Sequence, residues 1–115
     1  CVPISRLSEC ITETIEDMEK NKLFGPIVGH VGDGNFHVQL MIDPKNQNEI
    51  NVANGFLERL AQRAISMDGT CTGEHGVGQG KKQYLIEELG PAVNFMKLIK
   101  EELDPKGIMN PGKIL

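Results

Sequence analysis

The 115-residue sequence contains no tryptophan, one tyrosine and four phenylalanines. A core rich in aromatic rings is therefore excluded, and aliphatic side chains must supply most of the buried area, at roughly 25 cal/mol per Å². Basic charge is also scarce. Twelve Lys and Arg face sixteen Asp and Glu, a net charge of −4 with a pI near 5.3. That balance excludes a nucleic-acid partner, which needs a basic stripe to neutralise phosphates. The three cysteines, Cys1, Cys10 and Cys71, are odd in number and irregularly spaced, which fits neither a disulfide framework nor a zinc ribbon and leaves reduced thiols as the expectation. No apolar run reaches the ~20 residues that cross a bilayer, and no charged-then-apolar leader is visible. The chain thus reads as soluble, untargeted and not secreted. Its opening at Cys1, without an initiator Met, suggests a piece cut from something longer.

What is present is punctuated clearly enough to order the elements. Cys1 to Ile4 reads as a strand, with Ser5 as a helix N-cap. Leu7, Ile11, Ile15 and Met18 then fall at helical spacing, and Gly25-Pro26 ends that helix. Residues 26–32 and 35–43 alternate with the period of strands around Asp33-Gly34, a preferred hairpin turn. A second helix over 48–67 presents Ala53, Leu57, Leu60 and Ala64 on one face and stops at Asp68-Gly69. With 69–73 as a short last strand the order is β-α-β-β-α-β, which predicts an α+β, ferredoxin-like fold with an antiparallel sheet. Helices over 81–89 and 91–103 and a Pro- and Gly-rich tail follow. Two parts are expected: residues 1–80 as the ferredoxin-like subdomain and 81–115 as a helical C-terminal segment. An open sheet edge makes a homodimer a further expectation.

The hairpin carries the first chemical signal. A two-residue turn at Asp33-Gly34 predicts His30 directly opposite His37, with Cβ atoms about 5 Å apart, close enough for both imidazoles to reach one metal ion. Alternation sends Ile27, Val31, Phe36, Val38, Leu40 and Ile42 towards the helices, and His30, Asn35, His37 and Gln39 to the open face. An exposed histidine pair without a role is the competing explanation. The second signal is Gly69 to Gly80, where five glycines surround adjacent Glu74 and His75. Such glycine density favours close approach of backbone to a ligand, against the alternative of a flexible linker. Neighbours in an extended segment point in opposite directions, so Glu74 and His75 suit different tasks, one binding metal and the other facing substrate. Gly80-Lys81 is not a phosphate loop, because His75 stands where the first glycine belongs and Lys82 where Ser or Thr belongs. Gly76 and Gly78 lack the third glycine of a dinucleotide fingerprint.

Gly29-His30-Val31-Gly32-Asp33-Gly34-Asn35-Phe36-His37, Gly73-Glu74-His75-Gly76 and the ending from Leu103 to Ile114 together resemble the C-terminal domain of FAD-linked oxidases of the D-lactate dehydrogenase and glycolate oxidase type. The resemblance implies a flavin-dependent 2-hydroxy-acid dehydrogenase with a D-lactate-like substrate, FAD held mainly by an N-terminal FAD-binding domain of the parent chain, and an unidentified electron acceptor. It implies a divalent metal held by His30, His37 and Glu74, His75 as the catalytic base, Asn35 near substrate and Asn110 near the flavin. Two imidazoles and a carboxylate suit Zn, Mn or Fe better than Ca. The compartment it implies is the cytoplasm or the periphery of an inner membrane, mitochondrial in a eukaryote. Two other classes stay open on the residues alone: a stand-alone metal- or small-molecule-binding module, and a metal-dependent hydrolase with Glu74 as base.

Overall fold

Apolar positions at helical spacing produce four helices, placed within a residue or two of the expected bounds. In the computed structural model, which describes residues 1–115, the order is α1 (Ile4–Lys20), β1 (Ile27–His30), a 3₁₀ turn over Val31–Asp33, β2 (Asn35–Val38), α2 (Gln47–Ser66), α3 (Lys82–Leu89) and α4 (Ala92–Leu103). The fold is α+β, with one two-stranded antiparallel sheet. Two compact units divide it, Cys1–Glu74 and His75–Leu115.

In the first unit α1 starts at Pro3 rather than at a Ser5 cap, and no side chain caps it. Proline suits this place because its fixed φ is compatible with helix entry and it has no N–H to satisfy. The buried line of α1 is Leu7, Cys10, Thr14, Asp17 and Met18. Ile15, expected on the core stripe, is exposed. Polar Thr14 and Asp17 are tolerated on the inner face because α2 supplies two arginines. Arg59 donates to both Asp17 carboxylate oxygens at 2.7–3.2 Å, and Arg63 donates to Asp17 Oδ2 at 3.1 Å and Thr14 Oγ1 at 3.0 Å. Hydrogen bonding from Arg59 first, then from Arg63, holds the Asp17 carboxyl below its usual range. α2 begins at Asn46, whose side chain accepts from the backbone N–H groups of Asn48 and Glu49, as a good N-cap does. It buries Ala53, Phe56, Ala61 and Ala64, while Leu57 is left exposed.

Val2, Leu7, Cys10, Ala64 and Met67 form the core cluster, with Ile11 and Phe36 packed against it. Phe36 thus turns one face of the hairpin to the helices, as the alternation predicts. Val31, expected on that face, lies in the 3₁₀ turn and is exposed. None of the three cysteines forms a disulfide, and burial pushes the Cys10 thiol up and away from reactivity.

The expected outer strands are not formed. Residues 1–3 and 69–73 are irregular. Single backbone contacts stand in their place: Val2 N donates to Gly34 O at 3.0 Å, Thr70 N to Cys1 O at 2.8 Å, and the Cys1 amine to Thr70 O at 3.2 Å. The turn at Met67 and Asp68 and the proline at position 3 limit each segment to a residue or two of pairing, too few to extend a ladder.

The second unit holds α3, with Tyr84 and Leu85 buried, and α4, with Val93 buried. After α4 the tail is tied by Asp104, whose carboxylate accepts from the Ile108 and Met109 N–H groups at 2.9 Å and from Lys100 Nζ.

Candidate metal and catalytic site

The hairpin register differs from the expected one. Ile27 pairs with Val38, Val28 with His37, Gly29 with Phe36 and His30 with Asn35. His30 and His37 are therefore diagonal neighbours rather than directly opposed. The cause lies in the turn. An Asp33-Gly34 turn of the expected type needs positive φ at both residues, but only Gly34 adopts it, at 66°. Val31 and Gly32 join the loop instead, and Gly34 N donates back to Val31 O. The register moves by two positions, and a shift of two keeps every side chain on its face. His30, Asn35 and His37 still share one side of the sheet.

Glu74 completes the set. Its Oε2 lies 3.5 Å from His30 Nε2 and its Oε1 lies 3.2 Å from His37 Nε2. One carboxylate thus spans the diagonal that the register opened between the imidazoles. His37 is the most enclosed of the three, with 29% of its side chain exposed against 63% for His30 and 48% for Glu74.

The potential metal donors whose atoms all lie within 4.8 Å of one another are His37, Glu74 and His75; His30 reaches Glu74 at 3.5 Å but is not in that group. Ligands bound at about 2.0–2.1 Å around a tetrahedral centre stand about 3.3 Å from one another, the range of both N···O separations here. Two imidazoles and one carboxylate would leave a fourth position open on a tetrahedral ion.

Asn35, expected beside the substrate, is 5% exposed, and its Oδ1 makes no hydrogen bond. It sits against Gly73, the residue before Glu74. Val28 was not singled out in the sequence, yet it is the direct cross-strand neighbour of His37 and is half exposed on the histidine face. Only the true register could have found it. His75 opens the second unit and is exposed. Asn110, in the tail of that unit, is exposed with φ 46°.

Residues 1–114 match the family of FAD linked oxidases, C-terminal domain. Over 116 residues the chain is 56% identical to the probable mitochondrial D-lactate dehydrogenase of Danio rerio, covering 100% of this chain and 23% of that protein. It is 49% identical to D-lactate dehydrogenase [cytochrome] 1, mitochondrial, of Saccharomyces cerevisiae, covering 98% of this chain and 19% of the relative. It is 34% identical to the glycolate oxidase subunit GlcD of Bacillus subtilis, covering 98% and 24%. The chain spans about a quarter or less of the length of these relatives. With a match over nearly every residue, the chain belongs to the FAD-linked oxidase C-terminal domain family.

Proposed function

We propose that this chain forms the substrate side of an FAD-dependent 2-hydroxy-acid dehydrogenase acting on D-lactate or a close analogue. The observation that carries the reading is the Glu74 carboxylate standing between the His30 and His37 imidazoles on the open face of the sheet. His30, His37 and Glu74 hold a divalent metal, Zn, Mn or Fe, and His75 is the catalytic base. Asn110 lies near the flavin. A partner FAD-binding domain and an electron acceptor complete the enzyme. The relatives' names support a mitochondrial site in a eukaryote, and no helix of the chain is long and apolar enough to cross a membrane. The contacts of residues 1–2 with Thr70 and Gly34 support a ferredoxin-like order with much reduced outer strands.

An alcohol proton is difficult to remove at neutral pH. When bound, the metal supplies the positive charge that stabilises the developing alkoxide, and FAD supplies the acceptor for the hydride. This chain's residues do the rest. His30, His37 and Glu74 fix where the substrate's oxygens bind. His75 accepts the hydroxyl proton on a ring nitrogen. Because Glu74 and His75 are adjacent in the chain, the carboxylate that holds the metal also fixes where the base begins, so both reach the substrate from one segment.

The decisive experiment is stopped-flow reduction of the flavin by D-lactate in the intact protein. His75→Ala should slow reduction at least ~10²-fold with bound metal retained. Unchanged reduction kinetics would remove His75 as base. Metal uptake without any flavin reduction by a panel of 2-hydroxy acids would leave a metal-binding module in place of the dehydrogenase.

A further inference from the structure

Asn35 and Gly73 meet in a contact that the chemistry above does not use. A Cβ placed on Gly73 would lie 2.2 Å from Asn35 Oδ1, 2.9 Å from Cγ and 3.2 Å from Nδ2. Rotating the amide about its terminal bond cannot clear the overlap, because Cγ itself is too close. Asn35 has little room to withdraw, being 5% exposed. Its Oδ1 is shielded from water without a donor, an arrangement that costs free energy. Hydrogen bonding by that oxygen is therefore not what keeps the side chain in place.

Its surroundings suggest what does. Asn35 is the direct cross-strand partner of His30 and stands two residues before His37 on the same face. Gly73, which it touches, immediately precedes Glu74. The two imidazoles come from the hairpin and the carboxylate from a loop, and Asn35, on the hairpin, meets that loop at Gly73.

We propose that Asn35 is a positioning residue: its carboxamide seats the Gly73 backbone on the hairpin and thereby sets the Glu74 carboxylate between His30 and His37. Glycine at 73 is required because any side chain would lift the loop from that seat. Asn35 then acts through Glu74 rather than by touching substrate. The inference rests on the metal reading of the three ligands. It assigns Asn35 and Gly73 to metal affinity rather than to substrate affinity.

The test is a double-mutant cycle in the intact protein, read as Zn²⁺ affinity by competition with a chromophoric chelator and as KM for D-lactate after saturation with Zn²⁺. Asn35→Ala and Gly73→Ala should each weaken Zn²⁺ binding by about 10- to 100-fold, the effect of losing support behind a metal ligand. In Asn35→Ala/Gly73→Ala the overlap is gone, so the double variant should bind Zn²⁺ within about threefold of Asn35→Ala alone. General loss of fold would not give that recovery, since two destabilising changes add. Should Gly73→Ala fail to fold, the double variant still decides: recovery upholds the seat and no recovery overturns it. Independent losses that sum, Zn²⁺ affinity unchanged in either single variant, or a raised KM with full Zn²⁺ affinity in Asn35→Ala, would each overturn it. Absence of Zn²⁺ uptake by the unsubstituted protein would instead remove the metal reading, and this inference with it.

Discussion

Glu74 Oε1 lies 3.2 Å from His37 Nε2. The contact joins a strand residue to a loop residue 37 positions further along the chain, and with the parallel contact to His30 at 3.5 Å it draws three donors together. Without a cation, a half-exposed carboxylate beside two imidazoles gains little. On the proposed reading, a cation turns all three into ligands. Substitution should reflect that difference. Glu74→Gln, which keeps shape and removes charge, should lower Zn²⁺ affinity at least ~100-fold, and His30→Ala or His37→Ala should lower bound metal measured by elemental analysis. Full retention of metal by any of the three removes that residue from the ligand set.

Gly34 fixes the register on which those distances depend. It holds φ at 66°, and a Cβ there would lie 2.0 Å from Val2 O, backbone that cannot step aside. Gly34→Ala combines left-handed strain with that overlap and endangers the bond from Val2 N to Gly34 O. The expected cost is at least ~2 kcal/mol, a fall in Tm of roughly 6–10 °C. A Tm within 2 °C of the unsubstituted protein, by calorimetry, would show that the turn relaxes around the methyl group.

The same turn shows where sequence reasoning stops. Four helices were legible because apolar spacing and the breakers Gly25-Pro26, Asp68-Gly69 and Gly90-Pro91 are local signals. The shared face of His30, Asn35 and His37 was legible because parity survives a shift of two. The register was not, because Asp33-Gly34 suits two turn types and the choice is made by Val2, which meets Gly34 from 32 residues away. Nor was the burial of Asn35, which depends on a loop that returns only at Gly73. Ile15 and Leu57 were assigned to the core and lie outside it. Thr14 and Asp17 were passed over on α1, since a buried carboxylate is disfavoured until Arg59 and Arg63 of α2 are brought beside it.

That buried carboxylate makes stability depend on acid. The Asp17 pKa is depressed in the folded state by hydrogen bonds from Arg59 and then Arg63. A depressed pKa contributes stability above the unfolded carboxyl value, near pH 4, and the contribution is lost as pH falls through the lower folded value. Asp17→Asn should therefore cost about 2–4 kcal/mol at pH 7, discounted from a fully buried pair because Arg59 is half exposed. Below about pH 4 the gap between the two proteins should narrow. Urea unfolding at pH 7 and pH 3 measures both quantities, and a gap of constant size would mean that the clamp is not what titrates.

Asp104 performs a similar task at the end of α4. Hydrogen bonding from Lys100, then from the Met109 and Ile108 N–H groups, holds its carboxyl below the usual range, so the anchor persists under mild acid and releases only when the carboxylate is protonated. Lys100 Nζ also donates to Met109 O at 2.6 Å, closing the turn from the other side. Asn110 follows this knot directly, at a positive φ that the preceding bonds stabilise. Asp104→Ala should leave Zn²⁺ content unchanged, since none of the three donors contacts it, while the Ile108 and Met109 amides exchange with solvent at least ~10-fold faster. If Asn110 faces the flavin as proposed, reduction by D-lactate should slow in the same variant. Faster exchange with undiminished reduction would show that the tail is anchored for stability alone and that Asn110 plays no part near the flavin.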